Sequence, residues 1–152
     1  MIVRHSIQRV PFSKGEFMKI KTTNGNVSIE IDTSRFDSQF NKAQIRLNTL
    51  VVADCTPYIP FSQGQLRSQV DFPHGISGDE VRWYAPYAHY QYKGELYLTA
   101  NGSSYAQSGE VKYPTGRPLN YHNGGGAEWF EEAKKRHKSQ WIKEVQRIGG
   151  GG

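Results

Sequence analysis

Two segments of this chain repeat their apolar residues every three or four positions, the spacing that places side chains on one face of an α-helix. The first predicts a helix at about residues 35–54, preceded by the capping residue Ser34 and followed by Pro57. The second predicts a helix at about residues 127–148, with glutamates in its first turns and basic residues in its last. The residues expected to face the core are Phe36, Phe40, Ala43, Leu47 and Leu50 in the first helix, and Phe130, Ala133, His137, Trp141, Val145 and Ile148 in the second.

The sequence before the first helix has the two-residue period of β-strands. Apolar and polar residues alternate on both sides of Asn24-Gly25, a pair that tolerates the positive φ of a tight turn, so a hairpin is predicted over residues 17–32. Two further strands are predicted at Leu66–Phe72 and Glu80–Tyr84. Ile and Val together outnumber Leu by 19 to 6, which also favours strands. The predicted fold class is therefore α+β, with a small antiparallel sheet and two main helices.

The remaining segments show little periodicity. Residues 1–16 are predicted to form an extended N-terminal arm, and residues 149–152 a flexible glycine tail. Residues 93–122 are predicted to form a long polar loop that contains a strand at Glu95–Thr99. The 152 residues fit one α+β domain, which is expected to span residues 17–148.

The composition excludes several classes of protein. No run of 18 or more apolar residues is present to cross a membrane, and the N-terminus lacks the apolar stretch of a secretory signal. The single cysteine, Cys55, cannot form an internal disulfide and is expected to be a small buried residue. A cytoplasmic product is therefore expected. The net charge of +5 is compatible with an acidic partner but does not require one.

No group of residues indicates catalysis, a cofactor or a metal site. Asp71, Asp79 and Glu80 are the strongest candidates for a carboxylate pair, but they flank a predicted turn and are expected to be solvated there. The glycines Gly124–Gly126 lack the following residues of a phosphate-binding loop and are interpreted as a hinge before the second helix. The five histidines show no metal-binding spacing; they are His5, His74, His89, His122 and His137.

The segment Tyr84–Tyr92, YAPYAHYQY, contains four tyrosines, and Trp83 precedes it. Tyrosines of this kind anchor protein interfaces or stack on bases. Base stacking normally comes with interleaved cations, whereas here Arg82 and Lys93 lie only at the edges of the segment. An interface is therefore favoured, and a basic nucleic-acid-binding module is the alternative. The basic block at 134–138 points in several directions around its helix, which is typical of a solvated face.

The order of these segments resembles a known family. A first helix leads into YIPFSQGQLRSQV, two strands lead into YAPYAHYQYKG, and a variable loop leads into WFEEAKKRHKSQWIKEV. This order resembles the minor capsid protein family of tailed phages that infect Gram-positive hosts, which is similar to the tail-completion proteins of long-tailed phages. The resemblance covers about residues 35–147. The matching residues are Pro60, Gly64, Leu66, Arg67, Ser68, Tyr87, Ala88, Tyr90, Tyr92, Gly94, Trp129, Phe130, Ala133 and His137.

The resemblance implies a structural virion protein without catalysis or cofactor, located in the neck between capsid and tail after assembly in the host cytoplasm. The implied partners are copies of itself in a ring and other neck, connector or tail-tube proteins, near phage DNA and away from membranes. A ring requires two different adhesive faces on each subunit, and we expect them in Tyr84–Tyr92 and in loop 93–122. The expected interface residues are Tyr84, Tyr87, Tyr90, Tyr92, Arg67, Trp129 and Phe130.

Overall fold

The computed structural model describes residues 2–4, 19–24, 27–32 and 34–150, with side chains from Ser34 onward. The elements in chain order are β1 (Ile2–Arg4), β2 (Lys19–Asn24), β3 (Val27–Asp32), α1 (Ser34–Cys55), a short 3-10 turn (Thr56–Tyr58), α2 (Gln65–Ser68), β4 (Val70–Asp71), β5 (Glu80–Trp83), α3 (Ala88–Lys93), β6 (Glu95–Thr99), β7 (Lys112–Pro118) and α4 (Trp129–Gly149). The predicted α+β class is confirmed, and both long helices lie close to their predicted bounds.

The strands that the structure describes form three small antiparallel sheets. The central strand β5 pairs with β1 on one side and β4 on the other, while β2–β3 and β6–β7 are separate hairpins. The β2–β3 hairpin lies where the alternation in residues 17–32 predicts one. Within the predicted arm 1–16, Ile2–Arg4 pairs with β5, and the rest of the arm lies outside the described residues, as do the last two residues of the glycine tail.

The strand predicted at Leu66–Phe72 is wrong over its first half. Gly64 adopts φ +83°, and the amides of Arg67 and Ser68 both donate to its carbonyl, which winds this stretch into the helical turn α2. The apolar side chain of Leu66 is buried by that turn, so its burial does not depend on a strand.

The predicted long loop at 93–122 contains more regular structure than expected. Strand β6 occupies the predicted Glu95–Thr99, and β7 pairs back onto it, so only residues 100–111 connect the two. The sequence pattern does not predict β7, because this strand contains Pro114 and Pro118. Proline is normally depleted from strands and is tolerated at sheet edges. We refer to β6, β7 and their connection, residues 95–118, as the hairpin arm.

The core lies where the antiparallel helices α1 and α4 pack against β5 and α3. The helix pair is fixed by the Arg46–Glu144 ion pair at 3.2 Å and by a 2.7 Å hydrogen bond from Trp141 Nε1 to Asp54. The main apolar side chains of this core are Leu50, Val51, Cys55, Ile59, Leu66, Val81, Trp83, Trp129, Phe130, Ala133 and Trp141.

The first turns of α1 differ from the predicted core face. Phe36 is 55% exposed and Phe40 is 38% exposed, although the spacing of the stripe predicts burial. The reason is the length of the neighbouring helix. Gly149, the last residue of α4, lies beside Ala43, so residues 34–42 extend past the end of α4. We refer to residues 34–42 as the α1 overhang.

The buried thiol of Cys55 gives the fold a predicted pH dependence. Burial, followed by the nearby Asp54 carboxylate, raises the pKa of Cys55 from 9.0 to about 12. The thiol therefore loses its proton more readily in the unfolded chain than in the folded chain. The resulting stability is fully present below pH 9 and is lost as the pH rises toward 12.

We expect urea midpoints to fall between pH 9 and pH 12, and the Cys55→Ala variant to show a smaller fall. A maleimide should label the folded wild-type chain at neutral pH much more slowly than the urea-unfolded chain. Equal labelling rates in the two states would contradict the burial of this thiol.

Candidate assembly surface

The tyrosine-rich segment Tyr84–Tyr92 packs against the core through its two alanines. Ala85 and Ala88 are both buried, and the amide of Ala88 donates to the carbonyl of Ala85 at 2.8 Å. Gly94 ends α3 with φ +70°, and its amide donates to Tyr90. Because the two alanines fix the orientation of α3, the four tyrosines are directed to different surroundings.

Tyr92 points into the core. Its ring meets Trp129 edge-on with centroids 4.8 Å apart, and Trp129 in turn meets Trp83. Burial, followed by the charges of Glu131 and Glu128, raises the pKa of Tyr92 to about 12.

The structure thus moves part of the predicted interface into the core. Trp129 is 0% exposed, and Phe130 is buried and stacked on Trp141. Trp129 and Phe130 therefore stabilise the fold and are not exposed to a partner, while the half-buried Tyr92 packs against the same core.

Tyr90 joins α3 to the hairpin arm. Its ring lies 4.8 Å from that of Tyr97 on β6, and His89 contacts both rings. The ammonium of Lys112 on β7 lies 5.1 Å from the centroid of Tyr90. The two predicted adhesive segments, Tyr84–Tyr92 and 93–122, therefore adjoin each other at one end of the molecule.

Tyr84 and Tyr87 are exposed, and Tyr87 lines a surface cleft of about 180 Å³ between the loop after the 3-10 turn, α3 and the segment before α4. The exposed ring of Phe61 lies on the opposite loop of the same cleft. Tyr121 closes the third side, where its hydroxyl donates to the carbonyl of Gln91 at 2.6 Å and burial raises its pKa. We call this site the aromatic cleft; its main lining residues are Phe61, Tyr87, Gln91, Tyr121 and His122.

Arg67 positions one wall of the aromatic cleft. Its Nε and Nη2 groups donate to the carbonyl of Ile59 at 3.1 and 2.8 Å, and its guanidinium lies 4.9 Å from the centroid of Phe61. The predicted interface residue Arg67 thus holds the loop that carries Phe61, with its donors directed at its own chain.

We expect Arg67→Lys to lower the free energy of unfolding by about 1–2 kcal/mol, because an ammonium cannot reproduce the forked contact with Ile59. Urea unfolding would measure the loss. The matched control is Arg117→Lys, an exposed arginine on β7, which should change the stability by less than about 0.5 kcal/mol. Equal effects of the two changes would contradict the positioning role.

The segment Gly124–Gly126, which the sequence suggests is a hinge, contacts the chain around the 3-10 turn. The amide of Gly126 donates to the carbonyl of Tyr58 at 2.9 Å, and a Cβ on Gly125 would lie 2.6 Å from the backbone of Ile59 and Pro60. Gly124 and Gly125 also have positive φ. This segment is therefore packed against the loop of the aromatic cleft and fixes it relative to α4.

A second cleft of about 350 Å³ opens beside these glycines, and it is lined partly by Glu128, Glu131 and Glu132. These acidic side chains would repel a phosphate, which agrees with the absence of a phosphate-binding motif. Two of these glutamates pair with part of the basic block on α4. Lys134 pairs with Glu131 at 3.4 Å, and Arg136 pairs with Glu132 at 3.0 Å.

The three candidate carboxylates have separate structural contacts. Asp71 accepts a 2.8 Å hydrogen bond from the amide of Phe72, Asp79 faces His74 at 3.1 Å, and the buried Glu80 pairs with Arg82 at 3.1 Å.

The described histidines are also dispersed. His137 lies on α4 near Asp54, with Nδ1 3.8 Å from its carboxylate, while His122 lines the aromatic cleft. Within the part of the chain that the structure describes, no three His, Cys, Asp or Glu residues are placed to hold a metal ion. His5 lies outside the described residues.

Comparison with known proteins identifies one family. The family model described as minor capsid protein matches residues 18–149, which is most of the chain. No curated protein and no solved structure matches. Among the described residues, no helix is both long and apolar enough to cross a membrane. The chain belongs to the minor capsid protein family and is a structural protein of a phage virion.

Proposed function

We propose that this chain is a neck subunit of a tailed phage, a head–tail joining or tail-completion protein that acts by forming a ring and carries out no catalysis. The observation that carries the proposal is the aromatic cleft, which presents the exposed rings of Phe61 and Tyr87 on a hydrogen-bonded backbone. Exposed aromatic side chains on fixed elements are typical anchors of protein interfaces.

The backbone around the aromatic cleft supports an interface because contacts from several elements hold it in position. Arg67 holds the Phe61 loop, Gly126 is bonded to Tyr58, and Ala88 is buried beneath Tyr87. A preordered surface loses little conformational entropy when a partner binds. The partners we propose are further copies of this chain and other neck, connector or tail-tube proteins.

The double variant Phe61→Ala/Tyr87→Ala tests this proposal. Both side chains are exposed, so we expect the purified variant to remain folded, with near-wild-type thermal unfolding. In the phage that encodes the chain, the variant should be depleted from particles, which should accumulate as separate heads and tails.

The matched control is Ile142→Ala on α4, which removes an apolar side chain that is 45% exposed and lies outside the cleft. This control should enter particles normally. Normal incorporation of the double variant, together with intact infectious particles, would contradict the proposed role of the cleft.

Nucleic-acid binding is the alternative, and the Lys112–Tyr90 contact is the feature that favours it. The ion pairs of Lys134 and Arg136 with α4 glutamates weigh against it, because they neutralise part of the basic block. DNA binding through phosphates would fall steeply with salt. We expect no saturable DNA binding in a filter or anisotropy assay at physiological salt, and tight salt-sensitive binding would favour the alternative.

A further inference from the structure

The α1 overhang offers a second adhesive face. We propose that Phe36 and Phe40 on the overhang of one copy bind the aromatic cleft of a second copy, so that chains associate head to tail. This inference rests on the proposed ring assembly and names the two surfaces that would meet.

The need for a second face follows from the position of the first. Head-to-tail association in a ring requires two different patches on each subunit. The two segments expected to provide them, Tyr84–Tyr92 and 93–122, lie together, as the 4.8 Å contact between Tyr90 and Tyr97 shows. Because the two segments adjoin at this contact, a patch on another part of the chain would supply the second face.

The overhang has the side chains that such a counterpart needs. Phe36 and Phe40 are one helical turn apart, so both rings lie on one side of α1. They continue the stripe that, from Ala43 onward, packs against α4. The exposed end of α1 thus continues the apolar pattern of a helix–helix seam over about 13 Å of helix.

The two faces lie at opposite ends of α1. The aromatic cleft follows the C-terminal end of α1, through the 3-10 turn at Thr56–Tyr58, and it is tied there to the segment before α4. Phe36 is separated from Cys55 by about 28 Å along the helix. Because of this distance, the overhang cannot reach its own cleft, and the contact requires a second copy.

The chemistry of the cleft also fits an inserted helix end. Its volume of about 180 Å³ is below the range of about 300–1,000 Å³ for small-molecule pockets, which favours a protein side chain over a small-molecule ligand. The neighbouring Arg67 donates to Ile59 through Nε and Nη2, and the lining of the cleft itself consists mainly of aromatic rings and side-chain amides. An amphipathic helix with two apolar anchors in such a groove is a common mode of protein recognition.

Cysteine cross-linking can test the contact directly in the full chain. One variant carries Asp37→Cys beside the overhang phenylalanines, and the other carries Asn120→Cys, an exposed position lining the cleft. The native Cys55 is buried and should not react. With a short bismaleimide, we expect the mixture of the two variants to give a covalent dimer, and each variant alone to give little.

Two outcomes of this experiment would overturn the inference. A strong dimer from Asp37→Cys alone would mean that two overhangs pair with each other. No dimer in the mixture, with wild-type chain that sediments as a monomer at every concentration, would mean that the chain does not associate with itself through these surfaces.

The variant Phe36→Ala/Phe40→Ala provides the energetic test. We expect sedimentation velocity to show self-association at least about tenfold weaker than wild type, while Ile142→Ala associates normally. Wild-type association by the double variant would overturn the inference. If the Phe61→Ala/Tyr87→Ala variant nevertheless fails to enter particles, the proposed function survives and the partner of the cleft is another protein.

Discussion

Replacing Trp129 by alanine is expected to lower the free energy of unfolding by about 3–5 kcal/mol, a large part of the stability of a domain of this size. The indole is 0% exposed, and its ring meets Trp83 and Tyr92 edge-on at centroid distances of 6.2 and 4.8 Å. The change would leave a cavity where the start of α4, β5 and α3 meet. Urea unfolding followed by far-UV circular dichroism would measure the loss.

Two further variants test whether this loss of stability comes from the buried volume of the indole. Trp129→Phe keeps most of the apolar volume and should lose markedly less stability than the alanine variant. Tyr105→Ala removes an aromatic side chain that is 80% exposed on the hairpin arm, and it should leave the unfolding midpoint almost unchanged. If the free energy of unfolding of Trp129→Ala lies within about 1 kcal/mol of the wild-type value, this indole does not organise the core.

The effect of Trp129 also determines how assembly defects should be interpreted. The sequence resemblance placed this residue among the expected interface residues, whereas the structure buries it beside Tyr92. A Trp129 variant that fails to enter particles would therefore report loss of the fold. Only exposed residues, such as Phe61 and Tyr87, can separate a binding defect from a folding defect.

Much of the fold follows from patterns within short segments. The three- and four-residue spacing locates α1 and α4, because it depends only on which side of one helix is apolar. The same spacing misplaces Phe36 and Phe40, because burial also requires a neighbour, and the end of α4 beside Ala43 cannot be deduced from the sequence of α1. The β7 strand was missed for a related reason, since its prolines are acceptable only at a sheet edge.

The aromatic cleft could be predicted only in part. The cluster of tyrosines was visible in the sequence, but the division between the inward Tyr92 and the exposed Tyr87 depends on how α3 sits on the core. Phe61 was not singled out, because a lone aromatic residue in a loop carries no periodic signal. Its position depends on Arg67 and on the close approach of Gly125 to Ile59, both of which are contacts between separate segments.

Asn48 was also missed, and its replacement is expected to have the second large effect. The side chain is fully buried on α1, and its amide donates to the carbonyls of Ile76 and Gly78 at 2.7 and 2.9 Å. Its oxygen accepts a 3.0 Å hydrogen bond from Gln44. These contacts tie the turn between β4 and β5 to the helix. A polar residue one position after Leu47 in the α1 stripe was the only available signal in the sequence.

We expect Asn48→Ala to lower the free energy of unfolding by about 2–3 kcal/mol, because it leaves buried carbonyls of the turn without their donor. Asn48→Asp should be at least as harmful, since it keeps the shape and the oxygen acceptor but replaces the donating amide with a buried charge. The neighbouring Thr49→Ala is the control. It removes an exposed hydroxyl bonded within α1 and should cost less than about 0.5 kcal/mol.

Hydrogen exchange would locate the effect of the Asn48 change. The amide of Gly78 donates to Gly75 at 2.8 Å within the tethered turn, so its exchange should accelerate in Asn48→Ala more than that of amides in the middle of α4. Uniform acceleration across the chain would indicate a purely global loss of stability. An unchanged Gly78 amide would contradict the tether, and the turn would then have to be held by β4 and β5 alone.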